Sequence, residues 1–461
     1  MSINNKYFGT DGFRGKANVE LTAMHGFKIG RFLGWYYKFN SNRPEHRPRI
    51  LIGKDTRRSS YMLEYAVASG ITSSGADAYM LHVTTTPSVS YVVRQDNFDC
   101  GIMITASHNH FADNGIKVIN SAGEKMADDV IALIEAYLDG DMNKLNITQN
   151  DLPLSSGEEI GKIVDYVAGR NRYVGYLISL ASHSYRNIKI GIDCANGASW
   201  MIAKAVFDAL GAKTYMIGID PDGTNINQNC GSTHIEALCN LVKENDLDIG
   251  FAFDGDADRC IAVDENGNVV DGDKILYILA KRLKNCNMLK GNTIVATIMS
   301  NLALIKELNK ESIDCKITSV GDKFVYSAMQ ENDYQLGGEQ SGHIILRKYA
   351  TTGDALLTAI MLTEEMKDRK CTLSKLCEGL QLYPQTTKNY KVSDKSAVTN
   401  DEELNELIKS INDRLNNNGR VILRASGTEN LIRVMAESET QEHCDSLIKE
   451  VEHKMKERNY I

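Results

Sequence analysis

The chain has 461 residues, of which 43% are hydrophobic and 24% charged, and a formal net charge of −8. That length exceeds what one hydrophobic core supports, so roughly three or four domains are expected. The acidic balance argues against a nucleic-acid surface, yet a few local arginines can still hold an anionic small molecule. No apolar run is long enough to cross a bilayer, and the start, Met1-Ser2-Ile3-Asn4-Asn5-Lys6, lacks the apolar core of a signal peptide. The ten cysteines are scattered, with no C-x-x-C pair and no zinc spacing. They read as reduced thiols, and the expectation is a cytoplasmic protein with neither membrane nor nucleic-acid partners.

In chain order, strand-like and helix-like segments recur in three sets. The first set runs from Arg49–Gly53 through a helix near Tyr61–Ser73, the run Ala78–Val83 and a helix after Pro87 to Cys100–Ile104. The second takes Ile188–Ile192, a helix over Ser199–Leu210, Thr214–Ile217, a helix near Ile235–Glu244 and Ile249–Phe253. The third takes Thr293–Thr297, a helix after Asn301, Lys316–Val320, a helix after Asp322 and Tyr334–Leu336. Short apolar strands alternating with amphipathic helices imply parallel strands with right-handed crossovers. In such sheets, ligands bind beyond the carboxyl ends of the strands. The last part departs from the pattern, with a helix at Glu402–Leu415, two strands at Val421–Leu423 and Leu431–Met435, and a helix at Glu442–Glu457. The expected fold is thus three similar α/β domains with mixed, mainly parallel sheets, then a smaller α+β domain. The expected limits are 1–157, 158–264, 265–375 and 376–461.

A polar loop follows the third strand of each set. Thr105-Ala106-Ser107-His108-Asn109 offers a serine on a tight loop, with Asn114-Gly115 read as a turn and Lys117 on a second extended piece. A serine so held beside a lysine is a candidate covalent nucleophile; the alternative is a polar turn in which Ser107 caps the backbone. A Ser–His hydrolase is set aside, because neighbours in an extended loop point apart and no G-x-S-x-G elbow surrounds Ser107. Asp254-Gly255-Asp256-Ala257-Asp258-Arg259 places three carboxylates at alternate positions, able to converge on one hard cation such as Mg²⁺. It is no EF-hand, since Arg259 stands where that loop needs glycine. Gly338-Glu339-Gln340-Ser341-Gly342-His343 suits a sugar: Glu339 can accept from two hydroxyls and His343 can move a proton. Arg424-Ala425-Ser426-Gly427-Thr428 has the makings of a phosphate cradle. Near the start, the glycine-rich turn Phe8–Gly15 carries Arg14, which could meet a transferring phosphoryl group.

Together these loops, in this order from Gly9 to Arg433, resemble the α-D-phosphohexomutase family. The resemblance implies four domains in a heart-shaped molecule whose loops meet in a central cleft. It implies a phosphorylated Ser107, with Asp254, Asp256 and Asp258 holding one Mg²⁺ together with the serine phosphate. Glu339, Ser341 and the turn Gly321-Asp322-Lys323 would face the sugar, and Arg424, Ser426, Gly427 and Thr428 the phosphate that is not reacting. Lys117 and His343 are implied as proton-transfer groups, and Arg14 and Arg259 as stabilisers of the phosphoryl group in flight. The loops 9–12, 338–343 and 424–429 look most like members acting on a hexosamine phosphate through a sugar 1,6-bisphosphate, and a homodimer is a family expectation. Three positions depart from the family pattern: His110 and Asn430 replace prolines, and Ala257 replaces a glycine. If that glycine has positive φ, alanine there costs about 1 kcal/mol. The rival readings are a family member acting on glucose or mannose phosphates, a phosphatase using Asp254 as nucleophile, and a non-catalytic sugar-phosphate sensor.

Overall fold

The computed structural model describes residues 6–40, 45–425 and 431–461. The chain forms two compact units, one of Met1–Met299 with Ile313–Cys377, the other of Ser300–Ser312 with Glu378–Ile461. No helix among the described residues is long and apolar enough to cross a membrane.

The larger unit contains three sheets. The first holds β1 (Phe8–Gly9), β2 (Gly12–Lys16), β3 (Arg49–Lys54), β4 (Asp77–Val83), β5 (Cys100–Ile104), β6 (Asp113–Asn120) and β7 (Ile163–Asp165), in the order β1-β2-β6-β5-β3-β4-β7. The second holds β8 (Lys189–Asp193), β9 (Lys213–Ile217), β10 (Ile249–Phe253), β11 (Cys260–Asp264) and β12 (Val269–Val270), in the order β12-β11-β10-β8-β9. The third holds β13 (Thr293–Thr297), β14 (Asp314–Thr318), β15 (Leu336–Gly338) and β16 (Ile344–Leu346), in the order β14-β13-β15-β16.

One four-strand pattern recurs in all three sheets: β6-β5-β3-β4, β11-β10-β8-β9 and β16-β15-β13-β14. The first three strands in sequence run parallel, and the fourth returns antiparallel to the third. Each polar loop flagged in the sequence is therefore the tip of a hairpin between the third strand and its antiparallel partner. Burial on both faces explains the apolar runs. Along β3, Ile50 and Ile52 join a core under the helices Ala23–Phe39, Arg58–Ser73 and Asp128–Asp139, while Leu51 joins Leu81, Val89, Val92 and Phe98 on the other face. Thr85 caps the helix Thr86–Gln95 by accepting from the Ser88 N–H, with Pro87 in the first turn, where a missing N–H costs nothing.

The smaller unit is an antiparallel sheet of β17 (Gln385–Lys391), β18 (Gly419–Ala425) and β19 (Leu431–Ser438), in the order β17-β19-β18. Val421, Ile432 and Val434 share its core with Leu404 and Ile411 of the helix Glu402–Leu415 and with Leu447, Ile448 and Val451 of the helix Gln441–Glu457.

Several expectations need correction. Asn114-Gly115 is not a turn but part of β6: Gly115 pairs with Arg14, and a Cβ there would stand 2.4 Å from the Thr105 carbonyl oxygen. Its glycine serves close backbone approach rather than chain reversal. β7 and β12 lie in the first and second sheets, beyond the limits expected at 157 and 264; residues 264–267 form the turn between β11 and β12. The last parallel strand of the third sheet starts two residues later than Tyr334. The polar strand β17, Gln385-Thr386-Thr387-Lys388-Asn389-Tyr390-Lys391, lacks the apolar alternation that marks a strand in sequence.

Candidate active site

Ser107 is fully buried at the tip of the β5–β6 hairpin, with a φ of 52°. Left-handed backbone is costly for a serine, and the surrounding groups hold it there. The Ser107 N–H donates to Thr105 Oγ1 at 2.9 Å. The Ser107 carbonyl accepts from the Arg57 guanidinium at 3.1 Å and from Asn227 Nδ2 at 2.9 Å. Its hydroxyl then donates to Asp254 Oδ2 at 2.6 Å. This turn also corrects the expectation for His108: the loop is not extended, and His108 Nδ1 lies 3.3 Å from Ser107 Oγ. Burial, then Arg259 and Arg14, push the His108 imidazole down to about 3, so it is neutral beside the hydroxyl.

The second hairpin carries Asp254, Asp256 and Asp258, all buried, with carboxylate oxygens within 4.8 Å of one another. A Cβ at Gly255 would stand 2.6 Å from the Ser107 carbonyl oxygen, so this glycine is what lets the loop backbone come against the serine loop. Burial and the flanking carboxylates of Asp258 and Asp256 push Asp254 well above the usual carboxylate range. Thr86 Oγ1 donates to Asp256 Oδ2 at 2.5 Å. Lys117 Nζ donates to Asp256 Oδ2 at 2.8 Å and to Asp258 Oδ2 at 3.0 Å, and lies 3.2 Å from Asp11. Burial opposes the charge on Lys117, but the three carboxylates outweigh it and hold the ammonium well above its ordinary pKa. Among the described residues Asp256 Oδ1 and Asp258 Oδ1 are buried with no hydrogen-bond partner. Two orphaned carboxylate oxygens turned into an acidic cluster fit a hard cation, which accepts such oxygens directly. The triad can therefore hold a metal ion.

Arg259 is only partly exposed; its backbone N–H donates to Asp254 Oδ1 at 3.2 Å and its Nε lies 3.9 Å from Asp258. Arg14 pairs with Asp11 and donates to Asn109 Oδ1 at 3.3 Å. Both cations thus border the hydroxyl and the acidic triad. His343, at the end of the third hairpin loop, is buried with Nδ1 3.7 Å from Asp258 and Nε2 3.8 Å from Asp322. Burial lowers its pKa, but Asp258 and Asp322 outweigh that and raise it to about 9.

A cavity of about 250 Å³ adjoins this cluster, walled by Asp11, Lys117, Lys125, Asp322, Lys323 and His343 among others. Lys323 Nζ pairs with Asp128 at 2.6 Å across it, and Lys125 with Asp322 at 2.6 Å. Glu339 and Ser341 are not among its walls. Glu339 Oε1 accepts the Gly321 N–H at 3.0 Å, and the Ser341 hydroxyl reaches Glu339 Oε2 only at 3.5 Å. Arg424 lies in the smaller unit near the end of β18, in register with Arg433. Ser426, Gly427, Thr428 and Asn430 lie outside the described residues.

Arg57, Asn227 and Thr86 went unnoticed in the sequence, and Asp11 was seen only as part of the turn Phe8–Gly15, yet each fixes a site group. Asp55-Thr56-Arg57 also follows a buried strand end, and the rule that flagged the other loops applies to it equally.

Models of the four domains described as phosphoglucomutase/phosphomannomutase α/β/α domains I, II and III and C-terminal domain match residues 5–144, 171–267, 271–383 and 388–454. The chain is 55% identical to phosphoglucosamine mutase of Lachnospira eligens, covering 99% of each chain. It is 45% identical to phosphoglucosamine mutase of Bacillus cereus, covering 96% of each. Its fold is similar to the crystal structure of a phosphoglucomutase/phosphomannomutase family protein from Burkholderia thailandensis, with a TM-score of 0.79 at 21% identity over 98% of each chain. The chain belongs to the phosphoglucomutase/phosphomannomutase family of α-D-phosphohexomutases.

Proposed function

We propose that the protein is a phosphoglucosamine mutase, interconverting glucosamine 6-phosphate and glucosamine 1-phosphate through a phosphoserine at 107 and a sugar 1,6-bisphosphate. The observation that carries this is the Ser107 hydroxyl, buried 2.6 Å from the first of three converging aspartates; the relatives at 45–55% identity supply the sugar.

In this reading Asp254, Asp256 and Asp258 hold Mg²⁺, whose charge offsets the phosphoryl oxygens when bound. The phosphoryl group passes from Ser107 Oγ to the free hydroxyl of the sugar phosphate; the P–O(Ser) bond breaks, the new P–O(sugar) bond forms, and the serine oxygen is left beside Asp254 and His108. Lys117 and His343 are the proton-transfer groups: both are held protonated, so one gives its proton to the departing serine oxygen and, once neutral, takes up the proton that the sugar hydroxyl releases. Arg14 and Arg259 face the equatorial oxygens, and catalysis rests on positioning and charge. The bisphosphate then reverses, and its other phosphate is returned to Ser107. Lys323, Glu339 and Ser341 bind the sugar, and Arg424 with Ser426, Gly427 and Thr428 binds the phosphate that is not reacting. The setting is cytoplasmic, and the assembly a homodimer.

Comparing kcat/KM for glucosamine 6-phosphate, glucose 6-phosphate and mannose 6-phosphate tests the specificity. A preference for either neutral sugar would replace the amino-sugar reading with the general hexose one. Intact-mass detection of one phosphate on Ser107 tests the chemistry; phosphate found on Asp254 instead would make the protein a phosphatase of the aspartyl type, and none on either would favour a sensor.

A further inference from the structure

A second cavity, of about 590 Å³, shares no wall residue with the one beside Ser107. It lies beyond the carboxyl ends of β3 and β4, where this fold class takes ligands. Arg58, Tyr61, His82, Arg170, Trp200 and Asp222 are among its walls.

Three observations point to an anion carrying a flat ring. First, two guanidiniums, Arg58 and Arg170, stand on the cavity wall against one carboxylate, Asp222. Arg170 is partly buried and its guanidinium donates to the Val83 carbonyl at 3.3 Å. Among the described residues no carboxylate comes within ion-pair distance of Arg170 or Arg58. Asp222, the acid on the wall, is engaged by the N–H groups of Thr224 at 2.6 Å and Asn225 at 3.0 Å. Burial depresses the Arg170 pKa, with Asp165 opposing. A partly buried guanidinium whose nearest acid, Asp165, stays beyond ion-pair distance keeps N–H donors that an anion can take. Second, the backbone is bent to present a histidine here. The β3–β4 register slips between Ile52 and Gly53, and His82 follows the slip with a φ of 59°. Bulges that re-aim one side chain collect beside ligand sites. The His82 ring lies 4.0 Å from Glu64 and 3.7 Å from Asp165 and stays 43% exposed. Third, two aromatic rings share the cavity. Tyr61 is 48% exposed, with the ammonium of Lys54 4.0 Å from its ring centroid. Trp200 opens the helix Trp200–Ala209.

We propose that this cavity is a second ligand site, for a nucleoside phosphate: Arg58, Arg170 and His82 take the phosphate, and Trp200 with Tyr61 takes the base. Cations with neighbouring aromatic faces are the two halves of that recognition. The site stands apart from the mutase reading, since none of its walls reaches Ser107.

The chain has two tryptophans, so the variant Trp35→Phe leaves Trp200 as the lone indole reporter. Titrating it with uridine 5′-diphosphate and adenosine 5′-diphosphate should give saturable quenching. Adding Arg170→Met or Arg58→Met should weaken the apparent affinity by about tenfold or more, the effect of losing one charge-assisted contact. Arg58 is exposed, so its variant reads the site even if the Arg170 variant fails to fold. Saturating glucosamine 6-phosphate should leave the titration unchanged. The proposal is overturned by no saturable change up to about 10 mM nucleotide, by full quenching in Arg58→Met and Arg170→Met, by displacement with glucosamine 6-phosphate, or by equal quenching with inorganic phosphate.

Discussion

Ser107, Asp254, Asp256 and Asp258 are buried, and each is within 3.0 Å of a partner on a distant stretch of chain. Ser341 is exposed and Lys323 and Glu339 are half-buried; Lys323 makes an ion pair with Asp128, Ser341 a 3.5 Å hydroxyl contact, and Glu339 accepts one backbone N–H. The contrast separates two tasks within one site. Charge that develops on a phosphoryl group is stabilised best by dipoles and ions fixed before it arrives. A sugar that must be accepted in two orientations is better served by long side chains that exchange partners cheaply, since exposed ion pairs are worth only about 0–1 kcal/mol. In the proposed mechanism the buried end performs the chemistry and the open end the handling.

Removing the nucleophile is the harshest test of that division. Ser107→Ala should lower kcat by about 10⁴-fold or more while substrate still binds, because the oxygen that carries the phosphoryl group in the proposed reaction is gone. Calorimetric binding of glucosamine 6-phosphate alongside single-turnover assays checks both halves; residual turnover within tenfold of wild type would end the covalent reading. Next comes Asp256→Asn, which removes one charge of the triad and one partner of Lys117. About 10²-fold in kcat and a weaker response to added Mg²⁺ are expected, as for losing one fixed charge at the reacting centre. At the open end, Glu339→Gln should act mainly on KM, by about tenfold, with kcat little changed. A Glu339→Gln loss as large as that of Asp256→Asn, and carried in kcat, would erase the distinction between the two ends.

The same division governs what was readable from sequence. Ser107 and the three aspartates stood out because unbroken apolar runs, Cys100–Ile104 and Ile249–Phe253, end in abrupt polarity, and a strand buried on both faces leaves little else to be read. The repeat was visible for the same reason. The antiparallel return strand that makes each loop a hairpin was legible in the extended piece around Lys117 but not at Ile344–Leu346, which is three residues long. Asn114-Gly115 misled because this pair also marks turns, and only the approach of the Thr105 carbonyl shows why glycine is there. The supports of Ser107 were silent: Arg57 and Asn227 lie 50 and 120 positions away, and no local pattern joins them to it. His108 was misjudged because one left-handed residue reverses where the next side chain points.

The gentlest test falls on Ala257, in the buried end. Its φ of 55° is the conformation that favours glycine, its side chain is fully buried, its N–H donates to the Asp254 carbonyl at 3.0 Å, and its own carbonyl accepts the Ala355 N–H at 3.1 Å. Two terms oppose one another in Ala257→Gly. Relief of left-handed strain returns about 1 kcal/mol. Loss of one buried methyl costs about 0.8 kcal/mol, and the added freedom of the unfolded chain takes about 0.4–1 kcal/mol more. The sum is a small net loss, below about 1 kcal/mol, or a fall in melting temperature of under about 4 °C in a chain of this size. The backbone anchors at Asp254 and Ala355 hold the loop in either variant, so kcat should move by less than about threefold. A large gain in melting temperature would mean that the methyl contributes nothing to packing. A large fall in kcat would show that this methyl, and not only the three carboxylates, sets the spacing of the triad.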